Sequence, residues 1–317
     1  MNRRRLLAGL AMTPAGVLAL APARAVAQAA VPAIGVLVVS QEHYSPAHLE
    51  QAMQERGWRP GSYRLDVKFA QGKVDQLDAL ARELVAAKVN AIVALYTPSA
   101  LAAKRATSTI PIVMSAGDPV GNGIVGNVSR PDGNVTGIDS AAASLSGKRL
   151  EVLREVVPSL RRLGVFINPP DPFNRSLVAQ VKSTAAKVDV SVEVIPALDP
   201  DQAMRDAAAA RIEGVVVQPS LPQRPLAERL LRARLPGVSG ERTFIEAGGL
   251  LSVNASEIER YRAIALNIDR ILKGAAPRDL PILQASQFDI IVNRKTAKAF
   301  GLALPQLLLS RAEEIVD

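Results

Sequence analysis

The amino-acid sequence predicts an α/β protein of two Rossmann-like or flavodoxin-like lobes, each a parallel sheet covered by helices and joined to the other by a multi-strand hinge. Three patterns carry this expectation. Apolar runs of strand length alternate with amphipathic stretches of helix length, first over residues 34–114 and again over residues 150–217. In each half the second strand alternates apolar and polar residues, whereas the first and third are apolar throughout. Alternation marks a strand with one open face, and unbroken apolar runs mark central strands, so each sheet should run 2-1-3-4 with its second strand at the edge.

The elements follow in order. Ile34-Gly35-Val36-Leu37-Val38-Val39 reads as a buried strand, and residues 46–56 as a helix. Tyr63 to Phe69 alternates strictly, and Leu77, Leu80, Ala81 and Leu84 recur at helical spacing. Ala91 to Leu95 and Ile110 to Met114 are again buried strands. In the second half, Leu150, Leu153, Val156 and Val157 share a helix face ahead of the strand Leu163 to Ile167. Val190 to Val194 alternates, and Gly214 to Val217 is apolar. Asp199-Pro200, with Gln202 behind it, should start a helix through a capping box. Ser256 and Glu259 predict a second capping box, on a helix that Gly274 stops. A lone strand, Phe288 to Val292, and a short helix near Thr296 to Phe300 come after two complete lobes. The chain is therefore expected to cross back between them. The division read from this pattern is residues 30–138 plus 255–285 for lobe one and 139–254 plus 286–317 for lobe two.

Residues 1–27 read as an export signal: Arg3, Arg4 and Arg5, an apolar core from Leu6 to Leu20, then Ala25-Val26-Ala27 as a cleavage pattern. Arg3-Arg4-Arg5-Leu6-Leu7 also resembles a twin-arginine signal, which leaves that route and general secretion both open. Without this segment and its four arginines, the chain has 34 basic residues against 30 acidic ones, a scattered excess of +4. That balance argues against nucleic acid as a partner. The sequence has no cysteine, hence no thiol nucleophile, no disulfide framework and no residue for lipid attachment. A free periplasmic protein, a monomer without metal or cofactor, is the expectation.

Catalytic chemistry is poorly supplied. His43 and His48 are the only histidines; they lie five apart in a polar stretch and read as surface residues. Gly121-Asn122-Gly123-Ile124-Val125-Gly126 matches a dinucleotide fingerprint, but Ser129, Arg130, Pro131, Asp132 and Gly133 follow where a helix is required. That segment is instead read as a flexible connection between lobes.

Polar residues gather where strands end, the edge at which α/β sheets bind ligands. Thr97 follows the third strand with Pro98 behind it, so it reads as an N-cap, and the helix start beside Ser99 suits a carboxylate as well as an ordinary cap. Asp118 follows the fourth strand, either accepting hydrogen bonds from a ligand or shaping a turn before Pro119. Ser40, Asn168, Gln218 and Ser220 end other strands, while Tyr44, Tyr96 and Phe173 offer apolar walls. Aromatic residues are only 3% of the chain, and Trp58 sits in a turn remote from these ends. This disfavours a sugar, which usually needs ring stacking.

Several segments resemble the ABC-transporter substrate-binding proteins of the TrpX type: Thr97-Pro98-Ser99-Ala100-Leu101, Gly117-Asp118-Pro119-Val120-Gly121, Arg130-Pro131-Asp132-Gly133-Asn134, Gly147-Lys148-Arg149-Leu150-Glu151, Phe244 to Leu250 and Asn293 to Lys298. The resemblance implies a periplasmic-binding-protein type I fold with three crossings, a small-molecule ligand in the cleft, and an inner-membrane permease with its ATPase as partners. It also supports placing Ser40, Thr97, Ser99, Asp118, Asn168 and Ser220 around the ligand, to which the residue reading adds Tyr44 as a wall, with an amino acid or a carboxylate as the favoured class. Where that family often has Ser-Tyr-Gly, this chain has Ser252-Val253-Asn254, so the lobe-two wall should differ. Other readings weighed on the residues are a sensor that feeds a receptor and, with less support, a periplasmic hydrolase or isomerase.

Overall fold

A computed structural model describes residues 31–317; the export signal read at residues 1–27 lies outside them. The first half runs β1 (Ala33–Val38), α1 (Pro46–Glu55), β2 (Arg64–Phe69), α2 (Leu77–Ala86), β3 (Ala91–Leu95), α3 (Thr97–Ala106), β4 (Ile112–Ala116) and β5 (Val135–Asp139). The second continues α4 (Ala142–Val156), β6 (Arg162–Ile167), α5 (Asn174–Ala186), β7 (Ser191–Pro196), α6 (Pro200–Ala209) and β8 (Gly214–Val217). It closes with α7 (Gln223–Ala233), β9 (Gly237–Ser239), α8 (Arg242–Glu246) and β10 (Leu251–Ala255). The tail comprises α9 (Glu257–Leu272), β11 (Leu283–Gln284), β12 (Phe288–Asn293), α10 (Arg294–Phe300), α11 (Gln306–Arg311) and β13 (Glu314–Val316).

These strands form two sheets. One has the order β11-β5-β4-β3-β1-β2 and is parallel throughout. The other has the order β13-β12-β10-β9-β8-β6-β7, parallel except where β12 runs antiparallel to β10. The alternating strands β2 and β7 are the edges, as their sequences require, and β1 and β3 are buried at every residue. Each sheet is closed on both faces. On the first, Leu77, Leu84 and Ala103 pack from α2 and α3, and Tyr261, Ile264 and Ile268 pack from α9. On the second, Leu150 and Leu153 pack from α4, and Leu226, Leu230 and Phe244 from α7 and α8. Each such side chain contributes about 1.5–3 kcal/mol on leaving water, which is why helices cover both faces.

The chain passes between the sheets after β5, after β10 and after β11, and the passages are laced together. Ala285 N–H donates to Asp139 C=O at 2.9 Å, and Ser256 N–H to Gln287 C=O at 2.9 Å. Two sequence expectations are corrected here. Ser256 makes no side-chain cap on α9, and Glu259 does not turn back toward it; the Glu259 carboxylate instead accepts from Ser286 N–H, Ser286 Oγ and Gln287 N–H at 2.7–3.1 Å. The passage between the sheets offers more donors than one helix end, and the acid goes there. The glycine-rich stretch 121–126 is not an inter-lobe connection: it lies between β4 and β5 of one sheet. At Asp199 the cap forms, with Oδ1 accepting from Asp201 N–H and Gln202 N–H, but the box does not close, since the Gln202 amide turns to Asp206 and Arg205.

Gly137 shows how closely the first sheet is fitted. It sits in β5 at φ +140°, and an added Cβ would lie 2.0 Å from the Met114 carbonyl oxygen of the neighbouring strand. Gly137→Ala should therefore cost at least about 3 kcal/mol of stability, read as a lower urea midpoint at unchanged slope.

Candidate functional site

Parallel pairing sends the carboxyl ends of neighbouring strands to the same side, so the turns after them form a polar rim on each sheet. From the first sheet, the residues after β3, β4 and β5 supply Tyr96, Thr97, Gly117 and Ser140 to an inner cavity. From the second, the residues after β6, β8 and β9 supply Asp171, Phe173, Ser220 and Glu241, joined by Asn254 and by Arg260 of α9. The walls nearly touch, leaving only about 30 Å³ with room for the centre of a water molecule. A wider groove of about 340 Å³ lies beside it; Glu241, Asn254 and Arg260 border both.

Asp171 anchors the second rim. Its carboxylate accepts from Phe173 N–H at 2.9 Å, Gln218 Nε2 at 2.8 Å and Ser220 Oγ at 2.5 Å. Burial raises its pKa, and these three donors work against that rise. Gln218 Oε1 in turn accepts from Asn168 N–H at 2.8 Å. Gln223 Nε2 donates to the carbonyls of Gln218, Pro219 and Leu221, which fixes the turn that carries Ser220.

Across the cleft stands Tyr96. Its backbone has φ +71° and ψ 156°, a region that residues with a Cβ avoid. Its phenol donates to Glu241 Oε1 at 2.8 Å, and its ring centroid lies 4.7 Å from that of His43. Burial pushes the Glu241 carboxyl up to about 7, against the pull of Arg260. His43 is not a surface residue: it is 2% exposed, with neither ring nitrogen hydrogen-bonded. The three-residue turn after β1 folds it inward beneath Tyr96. Burial, then the nearby Arg260 charge, lowers it to about 3, so the ring is neutral. His48 is half-exposed, 3.4 Å from Glu257. Beneath the rim, Arg149 is fully buried, with Nε on the Val253 carbonyl at 3.0 Å; burial lowers it to about 10, which leaves it a cation. Its guanidinium fills the space beside Gly240, where an added Cβ would sit 2.3 Å from Nη2.

Of the residues read from the sequence, Tyr96, Thr97, Phe173 and Ser220 line the inner cavity. Thr97 is the first residue of α3 and not its cap; the helix is entered from Tyr96, and Thr97 Oγ1 donates to the Gly117 carbonyl at 3.3 Å. Ser99 is buried in the same turn with its hydroxyl unpaired, and Asn168 is buried with its side-chain amide unpaired. Ser40 is half-buried ahead of the His43 turn, and Tyr44 borders the outer groove. Asp118 faces a different depression: it accepts from Ser176 Oγ of α5 at 2.6 Å and from Gly121 N–H at 3.0 Å. Asp171, Glu241 and Arg260 were missed, and Asn254 was read only as part of a lobe-two wall that departs from the family. Asp171 alone carried a signal, lying in a turn just past a strand end.

Two sheets that oppose their polar rims across a charged cleft define a two-lobed solute-binding protein of the periplasmic-binding-protein type I fold. The chain belongs to the ABC transporter substrate binding protein family, whose model matches residues 46–316. It is accordingly the solute-binding component of an ABC transporter, and its family is one of binding proteins, not enzymes. It is 26% identical, over 80% of its length and 75% of the relative's, to a tyrosine-binding protein of Clostridioides difficile. Among solved structures, it resembles an ABC domain from Streptococcus pneumonia in complex with L-Trp at 23% identity and TM-score 0.79, covering 90% of this chain and 99% of the other. The ligand-free, open structure of a substrate binding protein with adhesive properties from Clostridium difficile matches with the same identity and coverage but a TM-score of 0.62.

His43 and Glu241 make opposite contributions to stability against pH. The fold refuses the His43 proton that an unfolded chain accepts below about 6.5, so this contribution falls as pH drops from 6.5 toward 3. The fold keeps the Glu241 proton that an unfolded chain gives up above about 4.5, so this contribution falls as pH rises from 4.5 toward 7. Each slope approaches ~1.4 kcal/mol per pH unit at most. Relative to the parent, His43→Gln should gain stability toward acid, and Glu241→Gln should gain it toward neutrality. Melting temperatures from pH 4 to pH 7 check both signs.

Proposed function

We propose that the protein captures an α-amino acid with an aromatic or large apolar side chain between its lobes in the periplasm and passes it to an inner-membrane ABC permease with its ATPase. The observation that carries this reading is the pairing of buried charges of both signs around one cavity: Arg260 is 8% exposed, Asp171 2% and Glu241 7%. A zwitterion offers a carboxylate and an ammonium close together, and each needs a partner of opposite sign once water is gone. Arg260 and the first turn of α3 at Thr97 suit the carboxylate. Asp171, held by Ser220 and Gln218, suits the ammonium. Phe173 and Tyr96 suit an apolar side chain.

The relatives named for tyrosine and bound to L-Trp support the same class. The sequence of residues 1–27 supports export, by either of the two routes left open above. Because both lobes contribute partners, a bound solute favours the shut arrangement in proportion to its preference for it.

The test is a thermal-shift screen of the exported form against L-tyrosine, L-tryptophan, other amino acids, simple carboxylates and sugars. A solute at 100 times its dissociation constant should add ~2.7 kcal/mol of stability. Asp171→Asn should weaken binding of that solute about tenfold or more, since it removes the charge and keeps the shape. Stabilisation by sugars alone, or an unchanged affinity in Asp171→Asn, would overturn the assignment.

A further inference from the structure

We propose that Tyr96 is the clasp between the lobes: its phenol, held on the Glu241 carboxylate, stabilises the shut arrangement even without a solute. The inference depends on the two-lobed architecture and not on the identity of the solute.

Tyr96 follows β3 of the first sheet and Glu241 follows β9 of the second, so their 2.8 Å hydrogen bond spans the cleft. Its position is the partition between two spaces. Tyr96 lines the inner cavity, and Glu241 borders both that cavity and the outer groove. The backbone of Tyr96 is kept at φ +71° by its own N–H on the Ser115 carbonyl at 2.7 Å and by Ala100 N–H on its carbonyl at 3.1 Å. A side chain placed from such a conformation leaves the sheet edge in a direction that an ordinary backbone would not give. Strain of this kind persists only where surrounding structure enforces it, and it concentrates at ligand clamps and switches. The ring is further fixed against buried His43. Beside it, Glu42 of the first lobe and Thr243 of the second border the same outer groove.

Among the described residues a second side-chain contact crosses the cleft at Ser176, whose Oγ donates to Asp118 Oδ2 at 2.6 Å and accepts from Asn122 Nδ2 at 3.4 Å. Magnitudes separate the two. Asp118 sits at an accessible rim, where water replaces a broken bond at little cost. Glu241 is buried, and breaking its bond to Tyr96 leaves a buried polar group without that partner, which shifts an equilibrium by about tenfold or more. The better superposition on the complexed relative than on the open one is in keeping with a drawn-together pair of lobes.

The sequence has no cysteine, so Arg82→Cys on α2 and Lys182→Cys on α5, both exposed, give a unique pair of sites for nitroxide labels. Double electron–electron resonance on the solute-free protein should show a short and a long distance. Tyr96→Phe should lower the short-to-long ratio about tenfold, and should add nothing further in a Glu241→Ala background. Ser176→Ala should change the ratio less than twofold. If Tyr96→Phe does not fold, Glu241→Ala alone should produce the same loss. An unchanged ratio in Tyr96→Phe, an equal effect in the Glu241→Ala background, a larger effect of Ser176→Ala, or no short distance in the parent would each overturn the clasp. Since no solute is added, failure of L-tryptophan or L-tyrosine to bind would count against the solute class and leave this measurement standing.

Discussion

Parallel strand pairing is the constraint from which the rest of this molecule follows. A parallel ladder needs a crossover helix for every strand, and it gathers the strand ends into one rim. In both sheets the rim carries the residues that mainstream packing has no use for: a hydroxyl at Thr97, an acid at Asp171, an acid at Glu241. Neither rim is a site alone. They become one because the chain passes between the sheets three times and binds those passages to each other through backbone hydrogen bonds and the Glu259 carboxylate.

The cavity is a balance of charges that would each be costly in isolation. Arg149, Arg260, Glu241 and Asp171 are all buried, and a buried charge without a partner is among the most destabilising features a fold can hold. Here each is held by neighbours that do not saturate it. Asp171 has three donors, Arg149 has a backbone carbonyl, and Arg260 keeps Nε unpaired while Nη2 meets Glu257. Such partial satisfaction suits a site that must accept a polar solute and let it go again.

The architecture was largely legible in the sequence because burial and period are local properties. The alternation of Tyr63 to Phe69 and of Val190 to Val194 identified both edges, and apolar runs identified the centres. Thr97 and Ser220 were legible as strand-end residues. Asp171 carried only the faint signal of a turn past a strand end, because two prolines separate it from Ile167, four residues back. Glu241 follows a strand of three residues, too short to show any period, and Arg260 sits in an amphipathic helix where a charged residue reads as solvent-facing. The positive φ of Tyr96 carries no mark at all, because nothing in its side chain asks for that conformation; the surrounding ladder imposes it. His43 was misread for a related reason, its burial being decided by residues far along the chain.

Glu259 and Arg260 are consecutive on the first turn of α9. The acid grips the strand that returns to the second sheet, while the arginine beside it borders the cavity. The cavity wall and the passage back to the second sheet are thus held by side chains one peptide unit apart, with no loop between them.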